Sequence, residues 1–450
     1  MSKWKMTAIT TLAVSIVLAG CSGGTKENAS GPSGSAAAEG QSDKPYEGES
    51  INVLILKTPA WDELVKKASE FEQATGIKVN FDSLPEKSYF QKLEMSLSAR
   101  TGEYDVVWGN NKSLPSMISG DWIEPLNAFL DDPAKTDASF DYGDFIPKLA
   151  KNLSMDGSVY GLPGNGEANI LYYNKKMFEE AGLTAPPKNL DELKAYAEKL
   201  TNRDKDQSGI VLRATREGNA NSFSWIMIWK MLGGNWLAEA PAPYAVLDRQ
   251  EAIDATNLWI DLVNNYAPKG IHSYGFNESL LAFQQGKAAM MIDVNTFMPE
   301  VENPEKSTVA GQVGYSVLEG IGDEYTVGPT WGIFMPKDTE KKDVAWEFMK
   351  WATSKEVMQV MADQKLRSDA TRTSVLDSET FKSNFNAEWA EANKQALNHA
   401  DFGYTPLVPE GNEIRDALSV AIAKAATNQA SVESALKEAN DRIAKRMGGS

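Results

Sequence analysis

In the first part of the folded chain, short apolar runs alternate with segments whose apolar residues have helical spacing. Three short apolar runs are typical of buried strands, at residues 51–56, 77–81 and 104–108. Between them, two segments have apolar residues at helical spacing, at residues 61–71 and 88–99. Strand–helix alternation with short links predicts a parallel α/β sheet, and such sheets bind ligands at the carboxyl ends of their strands.

A second α/β pattern begins near residue 159. Its predicted strands are 170–173 and 287–292, and its predicted helices are 176–181, one beginning at Asn189, and 222–232. From about residue 343 the pattern is largely helical, with a loop at 366–376 and a proline-containing stretch near 401–411. Two α/β regions in 450 residues predict more than one structural unit.

The first 20 residues have the pattern of an export signal. Lys3 and Lys5 precede a mostly apolar run at 6–19, which is too short to span a bilayer comfortably. The run ends in Leu-Ala-Gly before Cys21, the only cysteine of the chain. This ending resembles the bacterial lipobox, in which the cysteine is acylated and becomes the new N-terminus. We therefore expect residues 1–20 to be a lipoprotein signal peptide and Cys21 to be lipidated, for example by palmitate. An ordinary signal peptide with an accidental cysteine is the alternative.

Residues 21–50 are rich in Ser, Gly, Ala, Glu and Lys, with few side chains to bury, which predicts a flexible tether. No later segment is long and apolar enough to span a membrane. We therefore expect the lipid to be the only link to the membrane, on the extracytoplasmic face of the cell membrane.

Charge and composition exclude several classes of function. The formal net charge is −17, and removal of Lys3 and Lys5 with the signal makes it −19. A charge of this sign argues against a nucleic-acid partner. A single cysteine allows no intrachain disulfide, and the two histidines, His272 and His399, lack a metal-ligand spacing. The segment 204–209 resembles the start of a calcium loop, but Thr215 occupies the place of the bidentate Glu, so a polar turn is expected. We expect no metal and no cofactor.

Several segments, in the same order, resemble the family 1 extracellular solute-binding proteins of ABC importers, which include maltodextrin-binding protein. They cover nearly all of residues 51–450. The matching segments are 71–79, 104–111, 160–163, 167–175, 286–292, 331–337, 345–348 and 371–374.

The resemblance implies a type II clamshell of the periplasmic-binding-protein kind, with two discontinuous α/β lobes and a hinge of several crossings. The expected N-lobe comprises 51–160 and 320–352, and the expected C-lobe comprises 161–319 and 353–450. The resemblance also implies a monomer that captures a sugar or polyol and delivers it to the transmembrane subunits of an ABC permease, with no catalytic residues.

A sugar has apolar CH faces and a polar hydroxyl rim, so its site needs aromatic rings and fixed hydrogen-bonding groups. Several such side chains stand at predicted strand ends or in segments that the resemblance places at the cleft. The expected ligand-binding residues are Trp108, Asn110, Asn111, Glu167, Phe223, Trp225, Asp293, Trp331 and Arg372.

Structural alternatives stay open for these residues. The asparagines are good turn formers, Glu167 suits a hinge ion pair, and Arg372 suits a structural salt bridge. Trp225 stands one helical turn from Trp229, which also suits core packing. Many relatives carry Gly-Pro-Trp where this chain has Val-Asn-Thr at 294–296, which disfavours long maltodextrins and fits a smaller sugar or a polyol.

Two functional alternatives also stay open. The same fold suits a peptide, an amino acid or an acidic sugar, because Arg372 with Lys57 or Lys112 would pair with a carboxylate. An exported glycan-cleaving enzyme would need two carboxylates flanking the scissile bond. With 62 acidic residues such pairs are available, but none stands in a recognisable catalytic setting.

Overall fold

The computed structural model describes residues 44–236 and 246–447. The predicted signal peptide, Cys21 and most of the predicted tether lie outside the described residues. The strands are β1 (Ser50–Leu56), β2 (Lys78–Leu84), β3 (Val106–Asn110), β4 (Ser154–Met155), β5 (Ser158–Val159), β6 (Gly161–Gly166), β7 (Asn169–Asn174), β8 (Ser208–Val211), β9 (Ala288–Val294), β10 (Val313–Ser316), β11 (Thr326–Val327), β12 (Thr330–Phe334) and β13 (Ala400–Asp401).

The helices alternate with these strands at first and dominate after β12. They are α1 (Pro59–Thr75), α2 (Glu86–Ala99), α3 (Leu114–Ser119), α4 (Asn127–Leu130), α5 (Pro147–Asn152), α6 (Lys175–Glu180), α7 (Leu190–Leu200), α8 (Ala220–Met231), α9 (Gln250–Asp261), α10 (Phe276–Gln284), α11 (Met298–Val301), α12 (Lys342–Ala352), α13 (Lys355–Asp363), α14 (Thr373–Leu376), α15 (Glu379–Asn384), α16 (Ala387–Asn398), α17 (Gly411–Ala426) and α18 (Val432–Arg446).

The first sheet has the strand order β2-β1-β3-β12-β6. β1 pairs in parallel with β2 and β3, as the strand–helix alternation predicts. β12 pairs antiparallel with both β3 and β6, so a strand from late in the chain completes the sheet. This insertion brings the carboxyl end of β3 next to the start of β12.

Strand β6 is unusual because its sequence, Gly-Leu-Pro-Gly-Asn-Gly, lacks the usual strand formers. It is an edge strand, which leaves room for Pro163. Its glycines are explained by packing. A Cβ on Gly164 would lie 2.2 Å from the Trp108 ring, and one on Gly161 would lie 2.7 Å from the Phe334 ring. The aromatic rings therefore occupy the space that side chains on β6 would need.

The second sheet has the strand order β10-β7-β9-β8. β7 is antiparallel to β9 and β10, whereas β8 is parallel to β9. A separate hydrophobic core of buried side chains surrounds each sheet. The described residues from 44 onward nevertheless form one compact unit.

Phe145 and Leu149 pack briefly in the second core before the chain returns to the first core at Leu153. Apart from these residues, the described chain crosses between the two cores near Glu167–Ala168, again near Gly328–Pro329, and a third time around α13. The lobe bounds expected from the sequence, with boundaries at 160/161 and 319/320, stay a prediction. In the structure, β6 pairs in the first sheet and β11 packs in the second core. Each lobe is thus discontinuous in sequence, and the crossings lie side by side between the lobes.

Candidate functional site

Glu167 lies at the first crossing and is fixed there by its main chain. Its N–H donates to the Pro329 carbonyl at 3.0 Å, which ties the first crossing to the second. Asn295 supports the next residue, since its Oδ1 accepts from Ala168 N–H at 3.1 Å and its own N–H donates to the Ala168 carbonyl at 2.8 Å. The side chain of Glu167 is therefore presented between the lobes by an immobile backbone.

The Glu167 carboxyl is enclosed by protein, although its side chain keeps partial solvent contact. Desolvation raises the pKa of Glu167 to about 7, and the negative charges of Asp369 and Asp293 act in the same direction. The positive charges of Arg213 and Lys112 oppose the shift without cancelling it. No salt bridge within 4.0 Å is found for Glu167 among the described residues. Its hydrogen bond from Asn165 Nδ2, at 3.5 Å, is long.

Asp293 and Arg213 form a buried ion pair beside Glu167. Arg213 donates from Nε to Asp293 Oδ2 at 2.9 Å and from Nη2 to Asp293 Oδ1, so the pair is bidentate. The guanidinium also lies over the rings of Phe223, at 4.5 Å, and Phe276, at 4.9 Å. Asp293 is fully buried. Two of the predicted residues, Phe223 and Asp293, thus meet through an arginine that the sequence analysis missed.

Tyr404 connects this cluster to the first lobe. Its ring packs against Phe223 at 5.9 Å, and Lys112 Nζ lies 5.7 Å from its centroid on the other lobe's side. Burial raises the pKa of the Tyr404 hydroxyl to about 12, with Glu167 contributing in the same direction and Arg415 opposing it. The proline-containing stretch after β13 therefore forms part of the wall around Glu167.

Trp108 and Trp331 form the aromatic part of the opposite wall. Their rings stack with centroids 6.0 Å apart and planes 9° apart. Trp61 packs edge-on against Trp108 at 5.1 Å, and Phe90 lies against Trp331 at 6.1 Å. Trp108 is 6% exposed, so most of its surface is used by the core. Trp331 is less buried, and its Nε1 has no hydrogen-bond partner in the described structure.

Asn110 is the last residue of β3 and Asn111 follows it directly, and both side chains have hydrogen-bond partners within the protein. Asn110 Oδ1 accepts from Lys112 N–H at 3.1 Å, which is the geometry of a turn. Asn111 Nδ2 donates to the Phe402 carbonyl at 2.7 Å, and its Oδ1 accepts from Thr330 N–H at 3.1 Å. The structure thus places both near the cleft while giving them protein partners.

Arg372 is held away from Glu167 by a different set of partners. Its Nε donates to the Thr353 carbonyl at 2.8 Å, and its Nη1 donates to the Asp141 carbonyl at 3.0 Å and lies 3.6 Å from Asp144 Oδ2. Its guanidinium also packs on the Phe145 ring at 4.1 Å. Burial lowers its pKa, and Asp144 opposes that shift. The contacts are those of a structural salt bridge.

Arg367 is the arginine that contacts strand β6, which directly precedes Glu167. Its Nη2 donates to the Gly164 carbonyl, and its Nε donates to Asp369 Oδ1 at 3.1 Å. Asp369 is one of the acids whose charge raises the pKa of Glu167. The predicted loop at 366–376 contains Arg367 and Asp369 as well as Arg372. Nothing in the local sequence pattern indicates which of the two arginines lies near Glu167.

Trp225 lies in the core of the second lobe. It is fully buried, its Nε1 donates to Thr256 Oγ1 at 2.8 Å, and its ring stacks on Trp229 at 5.4 Å. Trp229 in turn packs on Trp236, whose Nε1 donates to the Tyr404 carbonyl at 2.7 Å. Two indole rings therefore lie between Trp225 and Tyr404, and the observed contacts of Trp225 are those of core packing.

Several buried polar side-chain atoms have no hydrogen-bond partner in the described structure. Buried polar groups are normally paired, so each such atom calls for an explanation. They include Asn165 Oδ1, Trp331 Nε1, Ser368 Oγ, Thr405 Oγ1 and Arg415 Nε. These are donors, acceptors and hydroxyls that do both, which is the complement of a ligand rich in hydroxyl groups.

Among the described residues, no group of three or more His, Cys, Asp or Glu side chains is arranged to hold a metal ion. The segment at 204–209 begins as a turn in which Asn202 Oδ1 accepts from the N–H groups of Asp204 and Lys205. In the described ranges, no helix has the length and apolarity needed to cross a membrane.

Two α/β lobes, with crossings side by side and polar groups converging between them, define a ligand-binding clamshell. Residues 56–359 match the family model of the bacterial extracellular solute-binding proteins, which is more than half of the chain. The chain therefore belongs to this family, whose members act outside the cytoplasm as binding proteins.

Known relatives share both the sequence and the fold. The erythritol/L-threitol-binding protein of Mycolicibacterium smegmatis is 29% identical over 386 residues, covering 81% of this chain and 79% of the relative. An ABC transporter solute-binding protein from Agrobacterium vitis, solved with bound D-mannitol, shows 27% identity and a TM-score of 0.79 over 89% of this chain and 99% of that chain. One from Agrobacterium radiobacter, solved with ribitol, shows 25% identity and a TM-score of 0.81 over 90% of this chain and 100% of that chain. The predicted family and the two-lobe type II fold are confirmed.

Proposed function

We propose that this protein captures a neutral, hydroxyl-rich small molecule between its lobes and delivers it unchanged to an ABC import permease. The observation that carries the proposal is Glu167, a carboxyl group held between the lobes without a close cation. A carboxylate in such a place can accept hydrogen bonds from two ligand hydroxyls, each worth about 1.5–3 kcal/mol.

The charge pattern supports a neutral ligand. The other acids around Glu167 already have cations: Asp293 pairs with Arg213, and Asp369 pairs with Arg367. Glu167 would repel a ligand carboxylate, and Arg372, the arginine suited to an acidic sugar, is engaged with Asp144. A peptide carboxylate or an acidic sugar is therefore disfavoured.

The wall opposite Glu167 supports a small ligand. The ring of Trp108 packs against neighbouring aromatic rings and against β6. It therefore leaves no exposed ring face on which a pyranose could stack. Asn295, in the segment where many relatives carry Gly-Pro-Trp, is fully buried and supports the first crossing. The relatives named above bind erythritol, L-threitol, mannitol and ribitol, which are acyclic polyols. An acyclic polyol of four to six carbons fits these features better than a maltodextrin.

The cellular setting follows from the N-terminal segment. Acylation of Cys21 after removal of residues 1–20 would tether the protein to the outer face of the cell membrane. Residues 21–50 would hold the lobes at a distance from the lipid and within reach of the permease. Metabolic labelling with a radioactive fatty acid tests this step, and a Cys21→Ser variant should take up no label.

Isothermal titration calorimetry tests the ligand class. The panel contains erythritol, ribitol, D-mannitol, glucose, maltotriose and glucuronate. At least one polyol should bind in the micromolar range, which corresponds to about −8 kcal/mol, and glucuronate and maltotriose should bind far more weakly. Heat only with glucuronate would support the acidic-ligand alternative, and release of a cleaved product from maltotriose would support the enzyme alternative.

Variants test the role of Glu167. At a pH above the raised pKa of Glu167, which is about 7, the wild-type carboxyl is charged. Under that condition Glu167→Gln keeps the shape but removes the charge, so affinity for the polyol should fall about 5- to 30-fold, the difference between charged and neutral hydrogen bonds. Glu198→Gln removes one charge from the exposed surface of α7 and should leave the affinity unchanged. Equal affinities for both variants would remove Glu167 from the site.

A further inference from the structure

Asn111 joins three segments of the chain at one buried point. It is fully buried and lies directly after β3. Its main chain and side chain both pair with Thr330, because Asn111 N–H donates to the Thr330 carbonyl at 3.0 Å and Asn111 Oδ1 accepts from Thr330 N–H at 3.1 Å. Its Nδ2 then donates to the Phe402 carbonyl at 2.7 Å.

These partners belong to different lobes. Thr330 is the first residue of β12 in the first sheet, and it follows the second crossing directly. Phe402 is 3% exposed and packs in the core of the second lobe. The hydrogen bond from Asn111 to Phe402 therefore connects the two lobes.

We propose that Asn111 is a positioning residue whose amide clasps the two lobes together and so sets the spacing of the ligand-binding walls. This replaces direct ligand contact as its role. An amide suits the task because it accepts from Thr330 and donates to Phe402 at the same time. Burial makes both bonds expensive to lose without replacement.

The clasp also controls the wall that carries Tyr404 and Thr405. These residues follow Phe402 directly, and Thr405 Oγ1 is one of the buried atoms without a partner. A second inter-lobe bond runs from Ser116 Oγ to the Pro409 carbonyl, but it is more exposed and longer, at 3.3 Å. Loss of the Asn111 bond should therefore shift the wall, whereas loss of the Ser116 bond should matter little.

Small-angle X-ray scattering of the ligand-free protein tests the clasp without any ligand. Asn111→Asp keeps the size and the acceptor for Thr330 but loses the donor to Phe402, and Asn111→Ala loses both. Each variant should populate a more open form, with a larger radius of gyration than wild type. Ser116→Ala should scatter like wild type. An unchanged radius of gyration in both folded Asn111 variants would overturn the proposal.

A second arm uses calorimetry and rests on the proposed function. Affinity of the Asn111 variants should fall about five- to tenfold, by the same factor for every polyol that wild type binds, because lobe spacing serves all of them. Loss for one polyol alone would mean a direct contact and would overturn the clasp. If the wild-type protein binds no polyol, the proposed function is wrong. The scattering result then still shows whether Asn111 holds the lobes together.

Hydrogen exchange in the wild-type protein decides the case if neither variant folds. Asn111 Nδ2 donates to the Phe402 carbonyl across the two lobes, so a clasped state protects the side-chain amide protons of Asn111. In heteronuclear NMR these protons should exchange slowly in the ligand-free protein or with a polyol bound. Fast exchange in both conditions would overturn the proposal.

Discussion

Glu167 is a carboxyl group that folding partly removes from water without giving it a close cation. Its backbone is fixed by Pro329 and, through Ala168, by Asn295, which holds the residue at the crossing. Such a group destabilises the ligand-free protein whenever it is charged. A ligand that donates hydroxyl hydrogens would offset that cost, which links stability to binding at one residue.

The pH dependence of unfolding tests this cost. The pKa of Glu167 is raised from its ordinary value of 4.5 to about 7, so the folded protein holds this proton more tightly than the unfolded chain. Its contribution to stability is therefore present below pH 4.5 and is lost as the pH rises through 7. Glu167→Gln does not titrate, so its stability relative to wild type should rise by about 1–3 kcal/mol between pH 5 and pH 8. Urea unfolding without ligand measures this difference. A constant difference across that range would show that Glu167 titrates normally.

The buried ion pair between Arg213 and Asp293 leads to a second prediction for single residues. Arg213→Ala leaves Asp293 charged and fully buried, which should destabilise the protein by about 3–5 kcal/mol. Adding Asp293→Asn should restore part of that loss, because the uncompensated charge is gone. Thermal and urea unfolding of the three proteins measure the effect. A loss below about 1 kcal/mol in the single variant would mean that water reaches Asp293.

The sequence predicted residue types better than residue roles. Phe223 and Asp293 contact one another through Arg213. The predicted ligand contacts of these residues, of Glu167 and of Trp331 stay predictions. Arg213 and Arg367 were missed because an arginine in a loop gives no periodic signal. Arg372 was selected through a family motif, whereas its contacts with Asp144 and Phe145 are visible only in the packed structure. Its ligand contact stays a prediction.

At the scale of elements, the two crossings touch through their backbones. A Cβ on Gly328 would lie 2.0 Å from the Glu167 carbonyl oxygen, and no flexible side chain can move aside there. Gly328→Ala should therefore push the crossings apart, destabilise the protein by about 1–3 kcal/mol and weaken ligand binding. Gly143→Ala is the control, since its Cβ would only reach an ordinary contact of 3.5 Å with Asp141. Wild-type stability in Gly328→Ala would contradict the observed approach.

Helices and strands with a clear hydrophobic periodicity could be predicted from the sequence. Strands that depend on pairing with distant parts of the chain could not. The α1 helix is capped at its C-terminus by Gly76, with φ of 83°. The α7 helix is capped at its N-terminus by Asn189, as the sequence indicated, because the Asn189 side chain accepts from Glu192 N–H. Strand β6 has no recognisable strand pattern in the sequence. Its Gly161 and Gly164 are required because aromatic rings from β12 and β3 occupy the space of their side chains. The insertion of β12 between β3 and β6 depends on long-range pairing, which no local pattern encodes.

At the scale of the whole molecule, two cores with few connecting segments permit hinge motion between the lobes. A ligand that bridges the lobes binds only the folded protein, so it should raise the melting temperature by mass action. At a polyol concentration of 100 times Kd, the expected stabilisation is about 2.7 kcal/mol. Differential scanning calorimetry measures it. The same polyol should give a smaller shift with Glu167→Gln, and equal shifts would place the ligand elsewhere.

A crystal structure of the protein with the polyol that binds most tightly tests the central claim most directly. The account predicts the polyol between the two lobes, with hydroxyl groups within hydrogen-bond distance of the Glu167 carboxylate and of Trp331 Nε1. A polyol bound elsewhere, or one between the lobes that leaves the Glu167 carboxylate without a ligand hydroxyl, would contradict it.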